Sequence, residues 1–140
     1  MNTTTVHTKW LGGLAFESTN PGGTMRIDAS VEQGGSDSGL RPKSMMLNSL
    51  AGCSAMDIAN LVVKMRAEID TFTIDVEGDL TDTEPKIYHT VRVKYNFFGA
   101  NLDQQKLEKI VNLSVDKYCG VMAMFRHFAK IEIQINYLTA

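Results

Sequence analysis

Alternating apolar and polar positions predict two paired strands in the first quarter of the chain. Residues 6–16 mix both types around a Gly12-Gly13 pair, which indicates a bend or bulge inside one strand. After a turn at residues 20–23, apolar residues recur at every second position over residues 25–32, the pattern of a strand with one buried face. We expect these two segments to pair as a hairpin.

A long apolar helix is predicted next. Residues 33–39 have the most flexible composition in the chain and form a surface loop, which ends where Arg41-Pro42 can begin a helix. Over residues 45–65 the apolar positions cover most of the helical circumference, so the helix must be buried on nearly all sides. A domain of this size rarely buries a helix so completely by itself, and we therefore predict a homodimer with an extensive interface. A stable monomer in light scattering would contradict that prediction.

The rest of the chain predicts a second hairpin, a second helix and a closing strand. Alternating runs flank a turn at residues 81–85. Asp103 is a candidate N-cap for a helix that is interrupted at residues 117–120 and followed by one or two turns over residues 121–128. Alternation of apolar and polar residues over residues 131–137 predicts a final strand. The order β-β-α-β-β-α-β with hairpin connections predicts the α+β class with a largely antiparallel sheet.

Length, composition and charge narrow the class of protein. The 140 residues, with a mass of 15.5 kDa, suffice for one domain, which we assign to residues 1–140. A hydrophobic share of 44% excludes a disordered chain, and a net charge of −2 without a long basic run indicates no nucleic-acid partner. The N-terminus has no signal-peptide pattern, and no stretch approaches the roughly 20 apolar residues of a membrane-spanning helix. We therefore expect a cytoplasmic protein without a membrane partner.

The two cysteines are the main candidates for chemistry. Cys53 lies inside the apolar helix, where a lone cysteine is most often a small packing residue. A second interpretation is a reactive thiolate, favoured by the helix N-terminus with Arg41 and Lys43 and opposed by a charged Asp57 one turn later. Cys119, 66 residues further on, precedes a short helix whose N-terminus would stabilise a thiolate. In a reducing compartment these are inert thiols or a redox pair, and not a permanent disulfide.

Other chemistries find little support in the sequence. The spacing of the cysteines excludes a Cys-x-x-Cys motif and, with the histidines His7, His89 and His127, a zinc cluster, so we expect no metal. A Cys/His hydrolytic pair has no supporting motif but stays open. The eight methionines are typical of a plastic core, and the alternative is that they line a pocket for an apolar ligand.

Two segments resemble a known family. They are PKSMMLNSLAGCSAMD at residues 42–57 and LSVDKYCGV at residues 113–121. Together they resemble the OsmC/Ohr family of thiol-dependent hydroperoxide reductases, most closely its YhfA-type branch, in which an aspartate at the position of Asp57 is common. The resemblance covers nearly the whole chain. It implies an OsmC-like fold, with two long central helices wrapped by sheets in an intertwined homodimer and two active sites at the subunit interface.

The resemblance also implies the chemistry of both cysteines. Cys53 falls on the family's peroxidatic cysteine and Cys119 on its resolving cysteine. In that chemistry the Cys53 thiolate attacks the O–O bond of a hydroperoxide and an alcohol leaves. The resulting sulfenic acid then condenses with Cys119 to a disulfide, which an external dithiol reduces. No metal, flavin or haem cofactor is needed.

A cation beside the developing alkoxide is the third implied element. Family peroxidases use an arginine from the segment before the helix, held by a glutamate. Arg26 is the best match to this catalytic arginine, and Arg41 is a competitor. The glutamate is missing, because Lys43 and Ser44 stand at its position, and Lys43 is itself an alternative source of positive charge. The candidate substrate-binding residues are Arg41, Lys43, Met46 and Asp57.

Three functions remain as hypotheses. The first is a peroxidase for organic hydroperoxides in oxidative-stress defence, with a small-molecule hydroperoxide and a dithiol reductant as partners. The second is a dimer without catalytic activity that binds an apolar or thiol-reactive small molecule at the subunit interface. The third treats both cysteines as packing residues, and slow alkylation of both thiols would favour it.

Overall fold

The computed structural model describes residues 1–139 of the chain, which divides into two compact units, residues 1–46 and the part from Leu47 onward. The first unit holds a three-stranded antiparallel sheet in the order β1-β2-β3, formed by His7–Gly12, Ala15–Asn20 and Gly23–Ile27. The predicted bulge is confirmed, because the pairing of β1 with β2 shifts register between Trp10 and Gly12. Residues 6–16 are nevertheless not one strand, since a turn at Gly13-Leu14 joins β1 to β2. Gly12 and Gly13 have positive φ, +105° and +56°, which glycine adopts without steric cost.

The third strand ends where Asp28 turns into the interior. Its carboxylate accepts hydrogen bonds from the backbone N–H groups of Ala29 (2.8 Å), Ser36 (3.1 Å) and Ser38 (3.0 Å) and from the Ser38 hydroxyl (2.6 Å). The predicted strand over residues 25–32 is therefore too long, since the chain leaves the sheet after β3 to place these donors around the carboxylate.

The segment that the sequence marks as most flexible, residues 33–39, is held in one conformation by these bonds. A 3₁₀ turn at Val31–Gln33 leads into it. At Gly35 an added Cβ would collide with the carbonyl oxygen of Ala29, so only glycine fits there. Gly35 thus permits close packing around Asp28.

The hydrogen bonds to Asp28 predict how stability depends on pH. They lower the pKa of Asp28 from its usual 3.8 to about 2, with the Ser38 hydroxyl as the main cause. A carboxyl with a lower pKa in the folded chain stabilises the fold above the unfolded pKa, and this contribution is lost between about pH 4 and about pH 2. We expect Asp28→Asn to lower the free energy of unfolding near neutral pH, and the difference from the wild type to shrink across that acid range. Denaturant titrations of both proteins measure this, and a difference that does not change with pH would contradict it.

The long helix α1 spans Pro42–Lys64 and begins where the sequence predicts. It buries one face, made by Leu50, Ser54, Ile58 and Leu61, while Met56 and Val63 are 71% and 78% exposed. Burial on nearly all sides is therefore wrong for this chain by itself, because the second unit's own core covers only one face of the helix.

By length and apolar composition α1 also meets the requirements of a membrane-crossing helix, so the expectation that no stretch approaches them is wrong. The reason is that the charged residues Lys43 and Lys64 lie near the helix ends and only Asp57 lies between them. The core helix of a soluble protein passes the same test, and it is therefore weak evidence of a membrane span.

The second unit contains another three-stranded sheet in the order β4-β5-β6, formed by Thr71–Leu80, Tyr88–Phe98 and Lys130–Leu138. The β4-β5 hairpin is antiparallel and β6 pairs with β5 in parallel, because two helices carry the chain back to the starting edge. The central strand supplies the buried side chains Val91, Val93, Tyr95 and Phe97. The α+β class and the largely antiparallel pairing are confirmed.

Two short helices join β5 to β6. Asp103 caps α2, Gln104–Leu113, by accepting the Lys106 N–H (3.1 Å), as the sequence predicts. A π-helical turn at Ser114–Tyr118 follows, and then α3 at Gly120–Phe125. The interruption that the sequence predicts at residues 117–120 is confirmed at Cys119, whose extended backbone separates the π turn from α3. π turns occur often at functional sites.

Candidate functional site

The two cysteines meet within the second unit. Cys53 projects from α1 and is partly exposed, while Cys119 lies between the π turn and α3 with 4% of its surface exposed. Both are free thiols, and they lie close enough that Cys53 is one of the causes that raise the pKa of Cys119. Residues 66 positions apart in the chain are thus neighbours, because the π turn and α3 pack with α1 in one core.

Backbone groups place the Cys119 thiol at the start of α3. The Cys119 N–H donates to the carbonyl of Ser114 (2.8 Å), and the sulfur accepts the N–H of Met122 (3.3 Å). This confirms the position at a helix N-terminus, and the Met122 N–H lowers the pKa of Cys119 as predicted, but other causes outweigh it. Burial, and then the hydrogen bond and charge of Cys53 and the charge of Asp57, raise the pKa of Cys119 to about 11 and outweigh the Met122 N–H. Cys119 is a protonated thiol at neutral pH.

A chain of buried hydroxyls runs beside the thiols. The Tyr95 hydroxyl lies 2.7 Å from Ser54 Oγ, Ser54 Oγ lies 2.8 Å from Ser114 Oγ, and Ser114 Oγ donates to Asp57 Oδ2 at 2.9 Å. Since Ser114 has one hydroxyl proton and gives it to Asp57, Ser54 must donate to Ser114 and Tyr95 to Ser54. Every proton in the chain therefore points toward the Asp57 carboxylate.

Burial keeps the first hydroxyl of this chain protonated. Burial is the main cause that raises the pKa of Tyr95 to about 12, and the charges of Cys119 and Asp57 add to it. Sequence analysis singled out Asp57 but missed Ser54, Ser114 and Tyr95. One signal in the sequence could have identified them: each hydroxyl residue stands at a position that its apolar pattern predicts to be buried. Ser54 also follows Cys53 directly.

An open cleft of about 320 Å³ gives this region access to solvent. It is lined by Asp57, Asn60, Leu61, Lys64 and Tyr118. Asp57 therefore contacts the hydroxyl chain on one side and borders the cleft on the other. A larger cavity, about 440 Å³, runs along the outer face of α2 and is lined by neither of the cysteines nor by the hydroxyl chain.

The two candidate arginines lie in the first unit, and each is held by different partners within residues 37–39. Arg26, on β3, donates from Nε to Ser38 Oγ (3.0 Å), and Ser38 in turn donates to Asp28. Arg41 donates to the carbonyl of Gly39 (2.6 Å) and forms an ion pair with Asp37. Ser38, which donates to a buried carboxylate, thus orients the Arg26 guanidinium.

The remaining candidates, Lys43 and Met46, lie at the start of α1 and are exposed. Their roles, like those of the two arginines, stay predictions. Within residues 1–139 no group of three or more His, Cys, Asp or Glu side chains is arranged to hold a metal ion.

Known proteins are similar to this chain in sequence and in fold. Protein YhfA of Escherichia coli K12 is 24% identical over 123 residues, which are 88% of this chain and 90% of YhfA. A hypothetical protein from Aquifex aeolicus VF5 is 27% identical with a TM-score of 0.87, and the match covers 100% of this chain and 99% of that one. The organic hydroperoxide resistance protein OsmC of Legionella pneumophila is 17% identical with a TM-score of 0.71, covering 97% of this chain and 98% of its own.

The family assignment rests on the match between this chain and the model of a protein family. The family described as "OsmC-like protein" matches residues 35–134, a range that contains both cysteines, Asp57 and the hydroxyl chain. The relatives agree with this match and with the YhfA-type branch. The chain belongs to the OsmC-like protein family.

Proposed function

We propose that the chain is a thiol-dependent peroxidase that reduces organic hydroperoxides to alcohols in oxidative-stress defence. The observation that carries the proposal is that two free thiols, one partly exposed and one buried, lie close enough to interact. The partly exposed thiol of Cys53 reacts with the peroxide in this proposal. The buried thiol of Cys119 then reacts with the oxidised Cys53. The fold of an organic hydroperoxide resistance protein agrees with this function.

The chemistry begins at Cys53. Its thiolate attacks one oxygen of the hydroperoxide, so that an S–O bond forms and the O–O bond breaks. The alkoxide takes a proton and leaves as an alcohol, while Cys53 becomes a sulfenic acid. Sulfur is oxidised and the peroxide is reduced. The apolar surroundings of Cys53 on α1 suit an organic hydroperoxide better than hydrogen peroxide.

The second step uses Cys119. Its sulfur attacks Cys53, the S–O bond breaks, and a disulfide and water form. An external dithiol then reduces the disulfide by two thiol exchanges and is itself oxidised, so the proposal requires no metal or organic cofactor.

A cation for the alkoxide is also part of this proposal. Arg26 is assigned this role, with Arg41 and Lys43 as competitors and Met46 as a substrate contact. The bond from Arg26 to Ser38 supports the assignment, because a guanidinium held in place can stabilise a developing negative charge without reorganising.

A homodimer completes the proposal. The exposed face of α1 carries Met56, Ala59 and Val63, an apolar row at helical spacing. A second copy of the chain would cover this row and place each thiol pair at a subunit interface. Such an interface would also explain why the sequence pattern indicates a helix that is apolar on nearly all sides.

The function is tested by intact mass and thiol alkylation. Reduced protein is mixed with one equivalent of cumene hydroperoxide and, in parallel, of hydrogen peroxide. We expect the loss of two hydrogens and protection of both thiols, with the faster reaction for the organic peroxide. If both thiols stay free with either peroxide, the peroxidase assignment fails, and the small-molecule binding function takes its place.

A further inference from the structure

A buried thiol cannot attack without losing its proton, and this requirement bears on Cys119. Its side chain is 4% exposed, and burial raises its pKa to about 11. At neutral pH Cys119 is therefore almost entirely a protonated thiol. A resolving step of useful rate needs a base close to this sulfur.

The groups that act on Cys119 leave one candidate for that base. From α1 come Cys53 and Asp57, and from α3 comes the Met122 N–H; Cys119 in turn acts on Tyr95 of β5. Cys53 is the sulfur under attack, and Tyr95 is a protonated donor. Among these groups Asp57 alone can accept a proton.

Ser114 ties this carboxylate to the thiol. Its carbonyl accepts the Cys119 N–H (2.8 Å), while its hydroxyl donates to Asp57 Oδ2 (2.9 Å). One residue of the π turn therefore positions both the proton donor and the proton acceptor. The hydroxyls of Ser54 and Tyr95 extend the chain behind it and keep its protons directed at Oδ2. The Asp57 carboxylate also borders the open cleft.

We propose that Asp57 is the general base of the disulfide-forming step: it accepts the Cys119 proton and delivers it to the departing hydroxide. This inference rests on the proposed peroxidase function. The S–H bond of Cys119 and the S–O bond of Cys53 break, and the S–S bond and one O–H bond of water form. The Cys119 sulfur is oxidised, the Cys53 sulfenic sulfur is reduced, and Asp57 returns to its starting state. Water leaves through the cleft that Asp57 borders.

The test isolates the attack of Cys119 from the peroxide chemistry. One equivalent of 5,5′-dithiobis(2-nitrobenzoate) forms a mixed disulfide at Cys53 and releases one thionitrobenzoate. Cys119 then displaces the second, which is a good leaving group and needs no proton. The rate of the second release, followed from pH 6 to about pH 9, therefore reports proton removal from Cys119 alone.

We expect Asp57→Asn to slow the second release at least about 10-fold at neutral pH. Its rate should also rise about 10-fold per pH unit, as hydroxide replaces the missing base, while the wild type shows little dependence. Asparagine keeps an oxygen that can accept the Ser114 hydroxyl, so the fold is retained. Asp57→Glu restores a carboxylate and should recover part of the rate. The matched control is Asp116→Asn, an exposed aspartate three positions before Cys119, which should behave like the wild type.

A wild-type rate and pH profile in Asp57→Asn would overturn the proposal, and so would an equal loss in Asp116→Asn. The proposed function fails separately. In that case the wild-type protein completes both releases but leaves cumene hydroperoxide unreduced.

Discussion

Replacement of Cys53 by serine is expected to lower the reduction of cumene hydroperoxide more than about 1,000-fold. A serine hydroxyl of similar size occupies the site, but it has almost no anionic form at neutral pH and is a much weaker nucleophile than a thiolate. Peroxide consumption with a small dithiol as reductant measures the loss. Far-ultraviolet circular dichroism establishes that the variant is folded.

Cys119→Ser is the matched control for this result. We expect this variant to consume one equivalent of peroxide as Cys53 is oxidised, and then to slow, because the buried partner that closes the disulfide is gone. The Cys53 sulfenic acid can then be trapped, and excess peroxide converts it to the sulfinic acid. If Cys53→Ser turns over at the wild-type rate, Cys53 is a packing residue and the peroxidase proposal is wrong.

The second large effect is on stability and is expected for Ser54→Ala. Ser54 is fully buried, and its hydroxyl lies between those of Tyr95 and Ser114. Its removal takes a partner from both, and a buried polar group without its partner costs about 1–3 kcal/mol. We therefore expect a loss of about 2–4 kcal/mol in the free energy of unfolding, measured by denaturant titration.

Ser44→Ala, in the first turn of the same helix, is the control. Ser44 is exposed and makes one long bond of 3.3 Å to the Arg41 carbonyl, so its replacement should change the free energy of unfolding by less than about 0.5 kcal/mol. Combining Ser54→Ala with Tyr95→Phe should recover part of the loss, because the tyrosine hydroxyl no longer lacks a partner. Equal effects of the two serine substitutions would show that the hydroxyl chain does not stabilise the fold.

Most helices of this protein follow from local patterns. Pro42 begins α1 and Asp103 caps α2 as the sequence predicts, because helix starts depend on residues that are close in the chain. The hairpin β4-β5 is confirmed for a similar reason, since alternation over two long runs leaves little choice of register.

The first unit shows where local patterns are insufficient. A pair of glycines suits a bulge and a hairpin turn equally well, and the pairing of β1 with β2 shows both, a register shift that ends at Gly12 and a turn that begins at Gly13. Alternation also continues past Ile27, but the hydrogen bonds to Asp28 end the strand there. The N–H groups that donate to this carboxylate lie eight and ten residues further along the chain. Hydrophobic periodicity does not predict such hydrogen bonds.

The sequence by itself determined the α+β class, the family and the two cysteines as candidates, because these depend on periodicity and on contiguous motifs. Only the tertiary structure decided that Cys53 and Cys119 meet, that Cys119 is kept protonated, and that a hydroxyl chain ends at Asp57. The bonds of that chain join residues 41, 60 and 57 positions apart. Contacts at such separations form when α1, the π turn and β5 pack together. Burial within that packing, and not the residue type, sets the protonation of the thiol.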